Sequence, residues 1–182
     1  MEIRELISKL QSRVPGALLA DRPNPGPLDS GLGLRIIWVD LSHLLPLAKV
    51  LAEEPGPAYK TLDHLSVAEI GGVLVLTYFL RSLSTGRTLA LRGTLRPSGP
   101  EETVEAVSVS SVWPMATPFE CENTELFGVR FAGAEVTGRN FLPEGWQGYP
   151  LRKGYVYPLE YEGVPHMRAV GKTAPDEHGV LS

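Results

Sequence analysis

The chain has 182 residues, of which 43% are apolar and 21% charged, with a formal net charge of −4. That length and balance describe one globular domain able to bury a sizeable core, and an acidic chain without a basic stripe is not built to hold nucleic acid. Its single cysteine, Cys121, excludes an internal disulfide and a four-thiolate iron–sulfur cluster.

Ile3, Leu6, Ile7, Leu10 and Val14 recur at helical spacing, which predicts an amphipathic helix over residues 2–13 ended by Pro15 and Gly16. The charge spread through this segment argues against a signal peptide. Residues 21–33 are dense in proline and glycine and read as a loop. Leu34–Val39 is β-branched and aromatic and reads as a strand. Asp40 or Ser42 then caps a helix over about 42–54, with Leu44, Leu47, Val50 and Leu51 on its apolar face and Pro55-Gly56-Pro57 as its stop. Three strands follow, Leu62–Ile70, Val73–Ser82 and Arg87–Arg96, joined by turns at Gly71-Gly72 and Ser84-Thr85-Gly86. Both faces of the middle strand are mostly apolar, so it is expected to be central and covered on both sides. It also contains the longest apolar stretch, Val73–Leu80, far too short to span a bilayer.

After a turn at Pro97–Pro100, Val104–Val112 alternates as a strand or extended edge. Residues 116–127 are helix-compatible, with Thr117 and Glu120 at capping-box spacing and Gly128 as the stop. From Gly133 onward no period persists. The order predicts an α+β fold: a mixed, mostly antiparallel sheet, helices on one face and a long irregular C-terminal tail, divided as a domain over 1–133 and a tail over 134–182.

Chemistry-bearing patterns are sparse. His43, His64, His166 and His178 form no metal-ligand pair, and no phosphate-cradling glycine loop or nucleophile elbow occurs. Cys121 is read as an inert thiol rather than a nucleophile, because nothing near it in sequence would lower its pKa. Glu120, Glu122 and Glu125 can be read as an acid–base group. A solvated or salt-bridging face is the reading favoured. Phe141–Tyr155 combines aromatic, proline, glycine and basic residues, which neither a helix nor ordinary disorder accommodates. It must pack on its own domain or on another protein, and the residue types leave both open.

Two segments carry a family resemblance. In Ser111–Phe131 and the following Gly133, the residues Trp113, Pro114, Ala116, Glu120, Glu122, Leu126, Phe127, Gly128, Phe131 and Gly133 resemble the pattern W-P-x-A-x-x-x-E-R-E-x-x-D-L-F-G-I-x-F-x-G. Leu142–Tyr155 is similar to L-P-E-x-W-x-G-x-P-L-R-K-D-Y. Both patterns belong to the small hydrophilic 30-kilodalton subunit of the complex I and membrane-bound hydrogenase family. The chain departs from them at Cys121, Glu125 and Gly154, and Gly133–Asn140 lacks the family's His-Pro. The resemblance implies a non-catalytic subunit of the peripheral arm, or failing that a free-standing module or assembly factor of the same fold. It implies no cofactor in this chain, with iron–sulfur clusters and quinone in partner subunits. The implied partners are the large quinone-site, hydrogenase-like subunit, the small iron–sulfur subunit and other complex I-like subunits. The implied place is the cytoplasmic face of the membrane, reached only through those partners. Glu120, Glu122, Trp146, Tyr149, Pro150, Leu151, Arg152, Lys153 and Tyr155 would form the partner interface. Arg152 and Lys153 would pair with partner carboxylates, and Glu120 and Glu122 with arginines.

Overall fold

The computed structural model describes residues 3–19, 34–53, 58–99, 101–134, 139–161 and 163–165. The 21–33 loop, the Pro55–Pro57 stop, His166, His178 and the rest of the tail beyond 165 lie outside the described residues.

Helix α1 (Ile3–Arg13) buries Leu6 and Leu10, the residues its period singles out. Strand β1 (Arg35–Trp38) leads into a short 3-10 turn, Leu41–His43, capped by Asp40, whose side chain accepts the Ser42 N–H. Helix α2 (Leu44–Glu53) buries Leu44, Leu47 and Leu51. Strands β2 (Thr61–Ile70), β3 (Val73–Arg81) and β4 (Thr88–Leu95) form a meander. The sheet order is β1-β4-β3-β2, with β1 parallel to β4 and the other pairs antiparallel. Gly71 and Gly72 turn the first hairpin at positive φ, 57° and 73°.

One face of this sheet is the core. Leu74, Leu76, Tyr78 and Leu80 of β3 stand beside Leu65 and Val67 of β2 and Leu89 and Leu91 of β4, and α1 and α2 bury their leucines in the same cluster. A bulge at Asp63 makes this possible. The register runs Leu62 to Leu80, then His64 to Phe79, so Asp63 is an extra residue. Leu62 and Leu65, three apart, would otherwise face opposite sides, and the bulge returns both to the core. The expected cover on both faces of β3 is only partly met. On the second face Thr77 is buried, while Val73, Val75 and Phe79 are half-exposed.

The next three elements build a β–α–β unit; the strand from Val104 and the helix over 116–127 are expected from sequence, the second strand and the parallel pairing are not. Strand β5 (Val104–Val107) pairs in parallel with β6 (Val129–Ala132), and helix α3 (Ala116–Phe127) connects them. The stretch read as a strand to Val112 stops at Val107 and winds into turns, with Trp113 N–H bonded to Val109 O. The expected capping box is absent. Thr117 lies inside α3, Met115 holds the cap position without a side-chain bond, and the first helical donors reach Trp113 O and Pro114 O. Glu120 is drawn elsewhere: its oxygens accept Ser108 Oγ at 2.7 Å and Val109 N at 2.9 Å. Helix α3 packs against β2, with Asn123 Nδ2 on Leu65 O and Phe119 edge-on to His64. A two-residue hairpin, β7 (Glu160–Tyr161) with β8 (Val164–Pro165), ends the described chain.

Candidate functional site

The carboxyl end of α3 is the anchor of the C-terminal segment. Gly128 closes the helix in the left-handed region, φ 66° and ψ 37°, which glycine adopts at little cost. Its N–H bonds Thr124 O at 3.1 Å, leaving the last carbonyls of the helix open. Residues 149–155 supply the missing donors. Leu151 N–H bonds Leu126 O at 3.1 Å, Arg152 Nε bonds Phe127 O at 2.7 Å, and Arg152 Nη2 reaches Gly128 O at 3.4 Å. Arg152 Nη1 also bonds Gly99 O at 3.2 Å, tying in the turn after β4.

Arg152 is therefore an internal cap. It is 3% exposed, and its guanidinium lies 4.8 Å from the centre of the Tyr149 ring. A cation at a helix carboxyl terminus complements the partial negative charge there. Burial pulls its pKa down, opposed by Tyr149, Glu69 and Glu102, and an arginine stays charged throughout. The ring of Tyr149 covers Gly128, and its hydroxyl bonds Thr103 Oγ1.

The other end of the segment is held by Glu125. Its carboxylate accepts three consecutive backbone N–H groups, from Asn140 at 2.6 Å, Phe141 at 3.0 Å and Leu142 at 2.7 Å. Burial alone would raise its pKa, but these bonds and Arg139 outweigh that and hold it below the ordinary glutamate value. Between the anchors, Arg139 Nη1 bonds Trp146 O, Tyr155 stacks edge-on with Tyr157 and bonds Gln147 O, and Lys153 N–H bonds Glu69 of β2 at 2.8 Å. The Phe141–Tyr155 segment thus packs on its own domain.

The residues singled out from sequence now divide. Glu120 is 1% exposed and holds the Ser108–Val109 turn, with burial raising its pKa. The partner carboxylate expected for Arg152 and the arginine expected for Glu120 give way to groups of the same chain. Trp146, Tyr149, Pro150 and Tyr155 are half-buried, Glu122 is half-exposed, and Leu151 and Lys153 are exposed. Glu120, Glu122 and Glu125 do not share one function. Cys121 is buried, and burial together with Glu125 and Glu120 pushes its thiol pKa up, so the thiolate a nucleophile needs is disfavoured. Sequence reasoning overlooked Glu125 as an anchor. An acidic residue in the last turn of a helix opposes the dipole, and that was the available signal that it is held by other donors.

Past the clasp the surface changes character. Leu151, Val156, Tyr157, Leu159 and Val164 are all exposed, Val156 at 85% and Leu159 at 76%. Among the described residues no group of His, Cys, Asp and Glu is placed to hold a metal ion, and no helix is long and apolar enough to cross a membrane.

Comparison with known proteins gives a consistent set. The chain is 30% identical over 132 residues to the combined C/D subunit of the NADH-quinone oxidoreductase of Chromohalobacter salexigens, covering 68% of this chain but 22% of that one. It is 26% identical over 151 residues to the C subunit of the NADH-quinone oxidoreductase of Roseiflexus castenholzii, covering 81% and 80% of the two chains. The C subunit of the Saccharopolyspora erythraea enzyme is 29% identical, covering 82% of this chain and 64% of the relative. Among solved structures, a chain of the membrane-bound sulfane sulfur reductase, an archaeal respiratory membrane complex, superposes with a TM-score of 0.63 at 16% identity, over 86% of each chain. The trypsin-resistant fragment of Nqo5 superposes with a TM-score of 0.51 at 16% identity, over 75% of this chain and all of that one. At that identity the two structures speak for the fold. Residues 37–162, more than half of the chain, match the family described as the respiratory-chain NADH dehydrogenase 30 Kd subunit, and the chain belongs to that family.

Proposed function

We propose that this chain is a non-catalytic, hydrophilic subunit of the peripheral arm of a complex I-like NADH:quinone oxidoreductase or a related membrane-bound hydrogenase. It docks on the large quinone-site, hydrogenase-like subunit, beside the small iron–sulfur subunit, on the cytoplasmic face of the membrane. The iron–sulfur clusters and the quinone belong to those partners. The observation that carries this reading is the exposed apolar run Leu151, Val156, Tyr157, Leu159 and Val164, presented by a segment that Arg152 and Glu125 fix to the domain. Glu122, Trp146, Tyr149, Pro150, Lys153 and Tyr155 complete the proposed interface. Arg152 holds the segment from inside, and Glu120 holds the Ser108–Val109 turn of the same domain.

The relatives support the choice of partner. In Chromohalobacter salexigens and Yersinia pestis the matching region makes up 22% and 21% of a longer chain named for the C and D subunits together. The buried, neutral-leaning surroundings of Cys121 and the structural use of Glu120 and Glu125 favour this role over an independent enzyme.

The test is an affinity pull-down of tagged chain from its own gently solubilised membranes, with partners identified by mass spectrometry. Recovery of a large hydrogenase-like subunit and a small iron–sulfur subunit is expected. Recovery of the chain alone would replace the subunit role with a free-standing module.

A further inference from the structure

The face of the four-stranded sheet opposite the core carries an arginine at its centre. Trp38 of β1 is the register partner of Arg92 of β4, and Arg92 is the register partner of Thr77 of β3, so the three side chains stand in a row across the sheet. Arg92 Nε bonds Thr77 Oγ1 at 3.1 Å, and the guanidinium carbon lies 5.5 Å from the centre of the Trp38 ring. Around the row the face is apolar, with Ile36 and Ala90 buried and Val75 and Phe79 half-exposed.

Arg92 is half-buried, and its fork is only partly used. Nε is engaged by Thr77 and one flat side rests on Trp38, while the Nη1 and Nη2 groups meet no acceptor among the described residues. The two acidic residues of the four strands are engaged elsewhere: Asp63 on Arg81, and Glu69, opposite the core residue Leu74, on the Lys153 N–H. An arginine held in one pose by a threonine and an indole has little rotamer freedom left to lose on binding. An apolar surface laid over it would strand the Nη donors away from water, at the cost of an unsatisfied buried cation. Whatever covers this face must therefore bring an acceptor to Arg92. The planar Nη edge matches a carboxylate, which takes two parallel N–H bonds from it. A single arginine is not the cluster by which phosphate groups are recognised.

We infer that this face receives a polypeptide segment of a neighbouring subunit, in which one aspartate or glutamate, flanked by apolar side chains, pairs with the Nη edge of Arg92 while its neighbours cover Val75 and Phe79. The inference rests on the subunit role proposed above and adds a second contact surface to it, on the sheet rather than the tail.

A photo-cross-linking residue in place of Ala68, the exposed register partner of Val75 on β2, tests it in the full chain in native membranes. The expected product joins the chain to another subunit of the complex through a peptide that contains an aspartate or glutamate. Arg92→Gln should lower its yield by roughly 30-fold, the lower end of the loss when one partner of a buried charge pair is removed. Arg81→Gln removes an equal charge at the end of β3, where the arginine is already paired with Asp63, and should leave the yield unchanged. Undiminished yield with Arg92→Gln, or a product that joins two copies of the chain or the chain to lipid, would overturn the inference. So would a steep fall in the melting temperature of the free chain on Arg92→Gln, because the guanidinium would then serve a carboxylate of the chain itself. If position 68 gives no product while a cross-linker at Leu159 still captures the large subunit, the sheet face fails and the docking role of the tail stands.

Discussion

The Tyr149 ring occupies the space a side chain on Gly128 would need: a Cβ built there comes within 2.4 Å of Tyr149 Cε2. Two independent constraints therefore meet at Gly128, the left-handed φ of 66° and the ring across it. Gly128→Ala should cost about 2–4 kcal/mol, combining backbone strain with displacement of the ring. Gly128→Asn tolerates the backbone but not the ring. It should be costly in the parent and nearly neutral in a Tyr149→Ala background. A urea-denaturation double-mutant cycle measures this coupling.

Arg152 makes its bonds through a planar fork to three separate carbonyls. A lysine places one charge where the fork places several donors. Arg152→Lys should lose most of what Arg152→Ala loses, about 1–3 kcal/mol, because the Phe127 carbonyl at the helix end is left without its donor while Gly99 O and Gly128 O keep the N–H groups of Glu102 and Val104. Equal stability of Arg152→Lys and the parent, by urea melts, would refute the capping role.

The carboxylates of Glu125 and Glu120 give stability opposite pH dependences. The Glu125 pKa is depressed in the folded chain below the ordinary 4.5. Its contribution is complete above that value and is lost as pH falls through the folded pKa. The Glu120 pKa is raised above 4.5 by burial. Its proton is favoured by folding, so its contribution is complete below 4.5 and is lost as pH rises through the folded pKa. Glu125→Gln should flatten the acid limb below 4.5, and Glu120→Gln the limb above it. Urea midpoints measured against pH check both slopes.

The bulge at Asp63 makes a sharper distinction than its ion pair. Asp63 bonds Arg81 Nε at 2.6 Å on the surface, and an exposed pair of this kind contributes about 0–1 kcal/mol. Asp63→Ala should therefore be mild. Deleting Asp63 removes the extra residue and turns Leu62 away from the core. That costs about 1.5–3 kcal/mol from its burial alone. Thermal melts of the two variants should separate clearly.

The elements legible in the sequence are those whose signals are local. The leucine period of α1 and α2 and the alternation of β2, β3 and β4 with their glycine turns appear where expected. The strand from Val104 and the helix over 116–127 also appear where expected, but β6 and its parallel pairing with β5 were not legible, because a four-residue strand paired across a helix leaves little local pattern. The Thr117–Glu120 spacing misled for a related reason. The partners of Glu120, Ser108 and Val109, come from a turn that only the tertiary fold brings near. The clasp was hidden because it joins charged side chains to backbone groups. Nothing in a sequence distinguishes an arginine destined for carbonyls from one destined for a carboxylate, so Arg152 read as a partner contact. The aromatic, proline and basic composition of Phe141–Tyr155 did mark a segment held by packing, here on its own domain.

The central claim is that the apolar run beyond Arg152 lies on the large subunit. A photo-cross-linking residue in place of Leu159, which is exposed and outside the clasp, activated in native membranes, tests it most directly. A cross-linked product containing the large hydrogenase-like subunit is the predicted result. A chain that cross-links only to itself, or to no protein, would contradict it.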